Sequence, residues 1–132
     1  MKEKYIVVIG SMNYDVLFKQ QRLPMKGETY TADSVSFCGG GKGANQAVQC
    51  AKLGIKTYMV AKTGEDSFGD FLRSELVKYG VDTTYVGKSE RTTGYASVNA
   101  LTDGSVYATI TEGANGDFIP ADIDRLDDLI KN

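Results

Sequence analysis

Runs of hydrophobic residues alternate with helix-like stripes along the first two thirds of the chain. A continuous apolar run from Tyr5 to Gly10 predicts a buried strand of the kind found in parallel sheets. From Ala44, small apolar residues recur at i, i+3, i+4 and i+7, which predicts a helix that ends at Gly54. The same pattern then repeats, with a strand over 56–61, a helix over 68–79 and a weaker strand over 81–86. This order is typical of an α/β fold with right-handed parallel crossovers.

Four other segments carry a weaker, two-sided pattern. Residues 16–21 and 29–37 mix β-branched and aromatic residues with polar ones, which predicts half-exposed strands. In 95–101 and 105–111, apolar and polar residues alternate on either side of the turn Thr102-Asp103-Gly104, which predicts a hairpin. Together these strands predict a small second sheet outside the α/β core. One face of the hairpin carries only small or branched apolar side chains, namely Ala96, Val98, Ala100, Val106, Ala108 and Ile110.

Composition narrows the classes of function. The 132 residues suit one domain, since domains commonly have about 100–150 residues. A net charge of −2 without a basic block argues against a nucleic-acid partner. The absence of histidine removes His-type zinc sites and Ser-His or Cys-His nucleophile pairs. Two cysteines fit a reducing compartment, and no signal peptide or apolar run of about 18 residues is present. We therefore expect a cytoplasmic protein with no membrane partner.

A glycine tract, Gly39-Gly-Gly-Lys-Gly43, directly precedes the first predicted helix. Glycines let the backbone approach a ligand, and the free N–H groups at a helix start attract polar or anionic groups. The tract is not a Rossmann fingerprint, because the preceding strand is mostly polar, and it is not a Walker A loop, because Gly43 follows Lys42 where Ser or Thr is required. The alternatives that remain are a ligand site and a tight strand-to-helix turn.

Asn13 and Asp15 follow the first predicted strand, two residues apart. Ligands of open α/β sheets gather at the carboxyl ends of the strands. An amide and a carboxylate at that spacing can hold neighbouring hydroxyl groups, as recognition of a polyol requires. The alternative is a turn pair, because Asn and Asp are common turn residues.

Five motifs together identify a family. They are Gly10-Ser-Met-Asn-Tyr-Asp15, Gly27-Glu-Thr29, Gly39-Gly-Gly-Lys-Gly-Ala-Asn-Gln-Ala47, Thr63-Gly-Glu-Asp66 and Gly113-Ala-Asn115. This set resembles the N-terminal part of the PfkB-type carbohydrate kinases, and the Gly-Gly-Lys-Gly-Ala-Asn-Gln-Ala run is most similar to the ribokinases among them. The resemblance implies a ribokinase-like three-layer α/β/α core over residues 1–132. That core is partial, and it carries a small β-sheet lid whose strands fall at about 16–37 and 94–111.

The resemblance also implies a sugar site and a reaction. Asn13, Asp15, Gly41, Lys42 and Asn45 would contact the sugar hydroxyls, and Ala96 and Ile110 of the lid would face the sugar. Lys42 would contact a hydroxyl or act near the phosphoryl group. The implied reaction transfers the γ-phosphoryl of ATP to the primary hydroxyl of D-ribose or a related sugar, with Mg²⁺ and K⁺ as cofactors and a homodimer formed through the lid hairpin.

Members of that family are about twice as long as this sequence. Their catalytic Asp, adenine pocket and cation site lie in the second half, so these are expected beyond Asn132. A predicted helix over 120–130 with no strand after it also indicates a cut chain, and we expect the 132 residues alone to be inactive. Asp117 follows Gly113-Ala-Asn115, which matches the earlier Gly-Ala-Asn element of the family, so Asp117 is not counted as the base. Two alternatives are a catalytically inactive sugar-binding or dimerisation module and a relative of the nucleoside kinases.

Overall fold

A computed structural model describes residues 2–132. Its elements are β1 (Tyr5–Ile9), β2 (Asn13–Gln20), β3 (Ser34–Gly40), α1 (Lys42–Lys52), β4 (Lys56–Gly64), α2 (Ser67–Lys78), β5 (Val86–Ser89), β6 (Gly94–Leu101), β7 (Val106–Thr111), a 3₁₀ helix (Gly113–Asp117), α3 (Pro120–Asp124) and α4 (Asp127–Lys131).

The first sheet is parallel and has the strand order β1-β4-β5. Helices α1 and α2 cover one face of it, and Ala47, Met59 and Leu72 are almost completely buried between them. On the opposite face, Lys62 of β4 forms an ion pair of 3.0 Å with Asp122 of α3. The layers are therefore helix, sheet and helix, as the sequence predicts.

A second, mixed sheet has the strand order β3-β2-β6-β7. Strand β2 runs parallel to β6 and antiparallel to β3, and β6 and β7 form the predicted hairpin. Ala96 is paired with Ile110, so the apolar residues of both strands share one face. On the other face, the ring of Tyr14 stacks on Phe68 of α2 with 4.4 Å between ring centroids. Aromatic packing thus fixes the second sheet to the α/β core.

In the second sheet, the strand predicted over 29–37 has different ends in the structure, where β3 covers Ser34–Gly40. Residues 29–33 are a loop and not a strand, because the backbone hydrogen bonds to β2 stop at Asp33, whose amide donates to Lys19 O. The turn before this loop has its own contacts. The Arg22 guanidinium contacts both carboxylate oxygens of Glu28, at 2.6 and 2.9 Å, and the Met25 amide donates to Glu28 Oε1. The hydrogen bonds from Arg22 and Met25 lower the pKa of Glu28 to about 2. Strand β3 begins later and includes the first two glycines of the tract.

Three further predictions need correction. Strand β1 is buried on one face only: Val8 packs in the core with α1 and α2, whereas Ile9 points to the other face and is 47% exposed. The third core strand is 86–89 and not 81–86, because Asp82 makes only a single bridge to Tyr58 and its carboxylate accepts from the Thr84 amide in a turn. The last predicted helix is two short helices, with the break between α3 and α4 at 125–126.

Candidate functional site

The first structural feature of the site is the meeting of β2, β3 and α1. Asn13 pairs with Gly40 at the start of β2, and Asp15 pairs with Cys38. The chain then passes through Gly41, whose φ of 96° suits only glycine, directly into α1. Because α1 starts there, Lys42 and Asn45 lie in its first turn. The structure thus brings five of the predicted site residues to one end of the molecule.

The carboxylate of Asp15 lies over the backbone of Gly40. A Cβ atom added to Gly40 would overlap all three carboxyl atoms of Asp15, so the glycine makes room for the acid. Burial raises the pKa of Asp15 above its usual value. Among residues 2–132, no Lys or Arg side chain forms an ion pair with Asp15. The carboxylate is therefore half-buried and available to accept hydrogen bonds from a ligand.

The N-terminus of α1 offers backbone donors beside this carboxylate. Gly41 provides no side-chain cap, and the first turn carries no acidic residue. The amides of Ala44 and Asn45 donate to Ser11 O and Gly41 O, whereas the amides of Lys42 and Gly43 have no acceptor in the described part of the chain. Free N–H groups and the helix dipole together favour an electron-rich group at this position. Lys42 and Asn45 are themselves exposed.

Close backbone packing sets the position of the α1 N-terminus. A Cβ atom on Gly43 would come within 2.7 Å of Gly10 Cα, and one on Gly10 would come within 2.9 Å of Gly43 Cα. Two glycines are thus required for the turn after β1 to contact the first turn of α1. This close approach accounts for the glycine at both positions of the motifs.

Asn115 in the 3₁₀ helix holds Asn13 in place, a role that the sequence analysis missed. Its Nδ2 donates to Asn13 Oδ1 at 2.8 Å and to Met12 O at 3.1 Å, and its Oδ1 accepts from the Met12 amide at 3.0 Å. A Cβ on Gly94 would collide with both amide groups. The Gly113-Ala-Asn115 motif was the available signal, but one sequence does not show which residue it contacts.

We predict that Asn115→Asp destabilises the chain by about 1–3 kcal/mol, because two donor interactions become contacts between acceptors. Chemical denaturation monitored by circular dichroism measures the change. The control is Asn99→Asp, where the amide makes one hydrogen bond, to Gln20, and a smaller loss is expected. Equal losses in the two variants would contradict the role given to Asn115.

The predicted lid residues occupy different positions relative to Asp15. Ala96 pairs directly with Asp15 across β2 and β6 and is only 4% exposed. Ile110 pairs with Ala96 one strand further away and is 62% exposed. Both lie on the face that carries Asp15, since paired residues of adjacent strands point to the same side. Ala96 therefore lies beside the candidate site, and Ile110 lies at its open border.

Two other acidic residues serve the structure. Asp66 caps α2 through the Gly69 amide and accepts two hydrogen bonds from Thr93, at 2.9 and 2.6 Å. Burial disfavours the charged form of Asp66, but the hydrogen bonds from Thr93 and Gly69 outweigh burial and lower its pKa. Asp117 accepts a hydrogen bond of 2.6 Å from Ser89 Oγ. Neither carboxylate lies beside Asn13 and Asp15 in the strand pairing.

A cleft of about 130 Å³ lies between α1, α2 and the end of β3. Asn45 and Cys38 line it together with core residues such as Met12 and Leu72, but Asn13 and Asp15 do not. The cleft therefore borders the candidate site at Asn45 and Cys38 but does not include the Asn13 and Asp15 pair. Within residues 2–132, no helix is long and apolar enough to cross a membrane.

Comparison with known proteins places the chain in a family. Residues 3–132 match the model of the pfkB family carbohydrate kinases. A deoxyribokinase of Salmonella typhi is 40% identical over 127 residues, which are 96% of this chain and 42% of that protein. A ribokinase of Bacillus subtilis is 37% identical over 116 residues, which are 88% of this chain and 40% of that protein.

A solved structure supports the same assignment. The ribokinase of Arabidopsis thaliana, complexed with ribose and ATP, superimposes with a TM-score of 0.79 at 39% identity, over 86% of this chain and 38% of that one. The chain belongs to the pfkB family of carbohydrate kinases and has the ribokinase fold. It spans about two fifths of the length of the relatives that it matches.

Proposed function

We propose that this chain forms the sugar-binding part of a kinase that phosphorylates D-ribose, or a closely related pentose, at its primary hydroxyl. The observation that carries the proposal is the meeting of Asn13, Asp15 and the free N–H groups of α1 at one end of the sheet. Similarity to relatives named ribokinase and deoxyribokinase supports a pentose as the substrate class.

The chemistry of the side chains fits a sugar. The Asp15 carboxylate accepts hydrogen bonds from two adjacent hydroxyls, and the Asn13 amide, fixed by Asn115, adds a donor from its Nδ2. The Gly41–Gly43 backbone, Lys42 and Asn45 complete the polar side of the site. Ala96 and Ile110 cover the apolar face of the ring, which keeps water away from the hydrogen bonds.

ATP is the phosphoryl donor in this proposal, as the ribose and ATP complex of the Arabidopsis ribokinase suggests. Such a transfer depends on holding the nucleotide in line with the hydroxyl and on an acid that accepts its proton. In our proposal this chain positions the hydroxyl, and the general base and the adenine contacts are supplied by residues outside the 132.

Mg²⁺ and K⁺ belong to the proposed reaction of the complete kinase. Residues 2–132 contain no group of three or more Cys, Asp or Glu side chains arranged to hold a metal ion. We derive no step through either cation. A cytoplasmic location belongs to the same proposal and agrees with the free thiols of Cys38 and Cys50.

Calorimetric titration with ribose, 2-deoxyribose, hexoses and nucleosides tests the proposal. We expect saturable heat with the two pentoses and weaker or no heat with the others. Tighter binding of a nucleoside than of any free sugar would replace the proposal with a nucleoside kinase. No binding of any sugar would contradict the proposal.

We also propose that the apolar face of the second sheet forms a homodimer. Strand β7 is exposed at every residue, and Val106 and Ile110 are 64% and 62% exposed. A continuous apolar face of this kind is rarely left in water. The part of this face that is furthest from Asp15 carries Val98, Ala100, Val106 and Ala108, which suits a two-fold contact between identical sheets.

We predict that Val106→Glu converts the dimer to a monomer, because a two-fold axis brings two like charges into an apolar contact. Light scattering at tens of micromolar measures the mass. Tyr107→Glu, on the opposite face of the same strand, is the matched control and should remain dimeric. A monomeric unmodified chain would contradict the proposed interface.

A further inference from the structure

One row of side chains crosses all four strands of the second sheet at the candidate site. The pairings Cys38 with Asp15, Asp15 with Ala96, and Ala96 with Ile110 place one residue of β3, β2, β6 and β7 side by side. Paired residues point to the same face, so all four side chains lie on the face of Asp15. Three of the four were predicted as sugar contacts, and Cys38 was not.

Distance along this row favours Cys38 as a contact. Adjacent strands are about 4.8 Å apart, so Ile110, two strands from Asp15, is separated from it by about 10 Å. Cys38 is only one strand from Asp15, on the opposite side. A ring held by the Asp15 carboxylate therefore lies within about one strand spacing of both Cys38 and Ala96, and Cys38 is nearer to Asp15 than Ile110 is.

The exposure and the pKa of the Cys38 thiol agree with a place beside Asp15. Cys38 is exposed, whereas Cys50 on α1 is partly covered. The sulfur of Cys38 is nevertheless partly shielded from water, which raises the pKa of the thiol. The negative charge of Asp15 raises that pKa further. The two side chains are thus close enough to interact electrostatically, and a ligand bound to Asp15 would change the surroundings of the thiol.

We infer that Cys38 forms the β3 wall of the sugar site, so that a bound pentose covers its thiol and a group attached to that thiol excludes the pentose. This inference rests on the proposed function, because it assigns one more residue to the same site. Cys38 is a wall residue and takes no part in phosphoryl transfer.

Protection from alkylation tests the inference. Iodoacetamide forms a bond from Cys38 Sγ to its methylene carbon, iodide leaves, and the thiol proton passes to the buffer. The rate of labelling of each cysteine is measured by mass spectrometry at about pH 8.5, near the ordinary thiol pKa. With ribose at ten times its measured dissociation constant, we expect labelling of Cys38 to slow about tenfold. Labelling of Cys50 should not change.

A second measurement examines the reverse effect. In a Cys50→Ala chain, complete alkylation of Cys38 should weaken ribose binding by about tenfold or more, since the added group fills the space of the sugar. In the double variant Cys38→Ala/Cys50→Ala, the same treatment should leave the affinity equal to that of the untreated double variant.

The outcomes separate the inference from the proposed function. If calorimetry shows ribose binding but the labelling of Cys38 is not slowed, the wall role is wrong and the proposed function stands. Equal slowing of Cys38 and Cys50 would indicate general stabilisation and would also overturn the inference. If ribose does not bind at all, both proposals fail.

Discussion

The 132-residue chain on its own is expected to phosphorylate no sugar. Asp15 is the carboxylate at the site, and it is assigned to holding hydroxyl groups. Asp66 and Asp117 are engaged by Thr93 and Ser89 and lie elsewhere. In our proposal these residues supply neither the base nor the contacts that orient ATP, so the reaction loses positioning worth about 7–11 kcal/mol of the barrier. Such a loss lowers the rate below detection.

A coupled assay for ADP release, with ribose, ATP, magnesium and potassium, checks this prediction. The purified chain should match the no-enzyme control at every sugar concentration. Turnover above that control, abolished by Asp15→Ala, would mean that a catalytic base exists within these residues.

Asp15→Ala is expected to remove most of the affinity for ribose. A charged hydrogen bond contributes about 1.5–3 kcal/mol, so loss of one such bond weakens binding about 10- to 150-fold. The matched control is Asp33→Ala, which removes an exposed carboxylate from the loop before β3 and should leave the affinity unchanged. Equal affinities of Asp15→Ala and the unmodified chain would remove Asp15 from the site.

A second variant at this position, Asp15→Asn, should lose affinity for ribose but should not lose stability. Burial raises the pKa of Asp15, so its ionisation costs the folded chain stability as the pH rises through the folded-state pKa. Asp15→Asn should therefore unfold at the same temperature as the unmodified chain, or a higher one, at neutral pH. Ribose binding, which needs the carboxylate, should weaken on acidification at a higher pH than an ordinary aspartate would produce. A lower unfolding temperature for Asp15→Asn would contradict this assignment.

Periodicity predicted α1, α2 and the parallel strands β1 and β4 well, because burial determines the apolar pattern of each. Helix α1 ends at Lys52 and Gly54 has a φ of 82°, as the stripe from Ala44 predicts. The strand ends were less predictable, because pairing depends on partners that are distant in sequence. Asn13 belongs to β2 only because Gly40 and Gly94 pair with it on either side.

The polar residues of the site could be named from motifs, but the residues that hold them in place could not. The amide of Asn115 reaches Asn13 across 102 positions of sequence, and nothing local to either residue indicates that contact. The place of Cys38 beside Asp15 likewise depends on the register of β2 and β3, which one sequence does not fix.

A titration of the ¹⁵N-labelled chain with ribose, followed by amide NMR, tests the central claim most directly, because it locates the sugar. We predict saturable shifts of the amides of Asn13, Asp15, Lys42 and Gly43, with Gly54 and Gly80, which follow the C-terminal ends of α1 and α2, unchanged. The same titration of Asp15→Ala should produce no saturable shifts at the first four amides. Saturable shifts that cluster at Gly54 and Gly80, or that persist unchanged in Asp15→Ala, would contradict a sugar site at the α1 N-terminus.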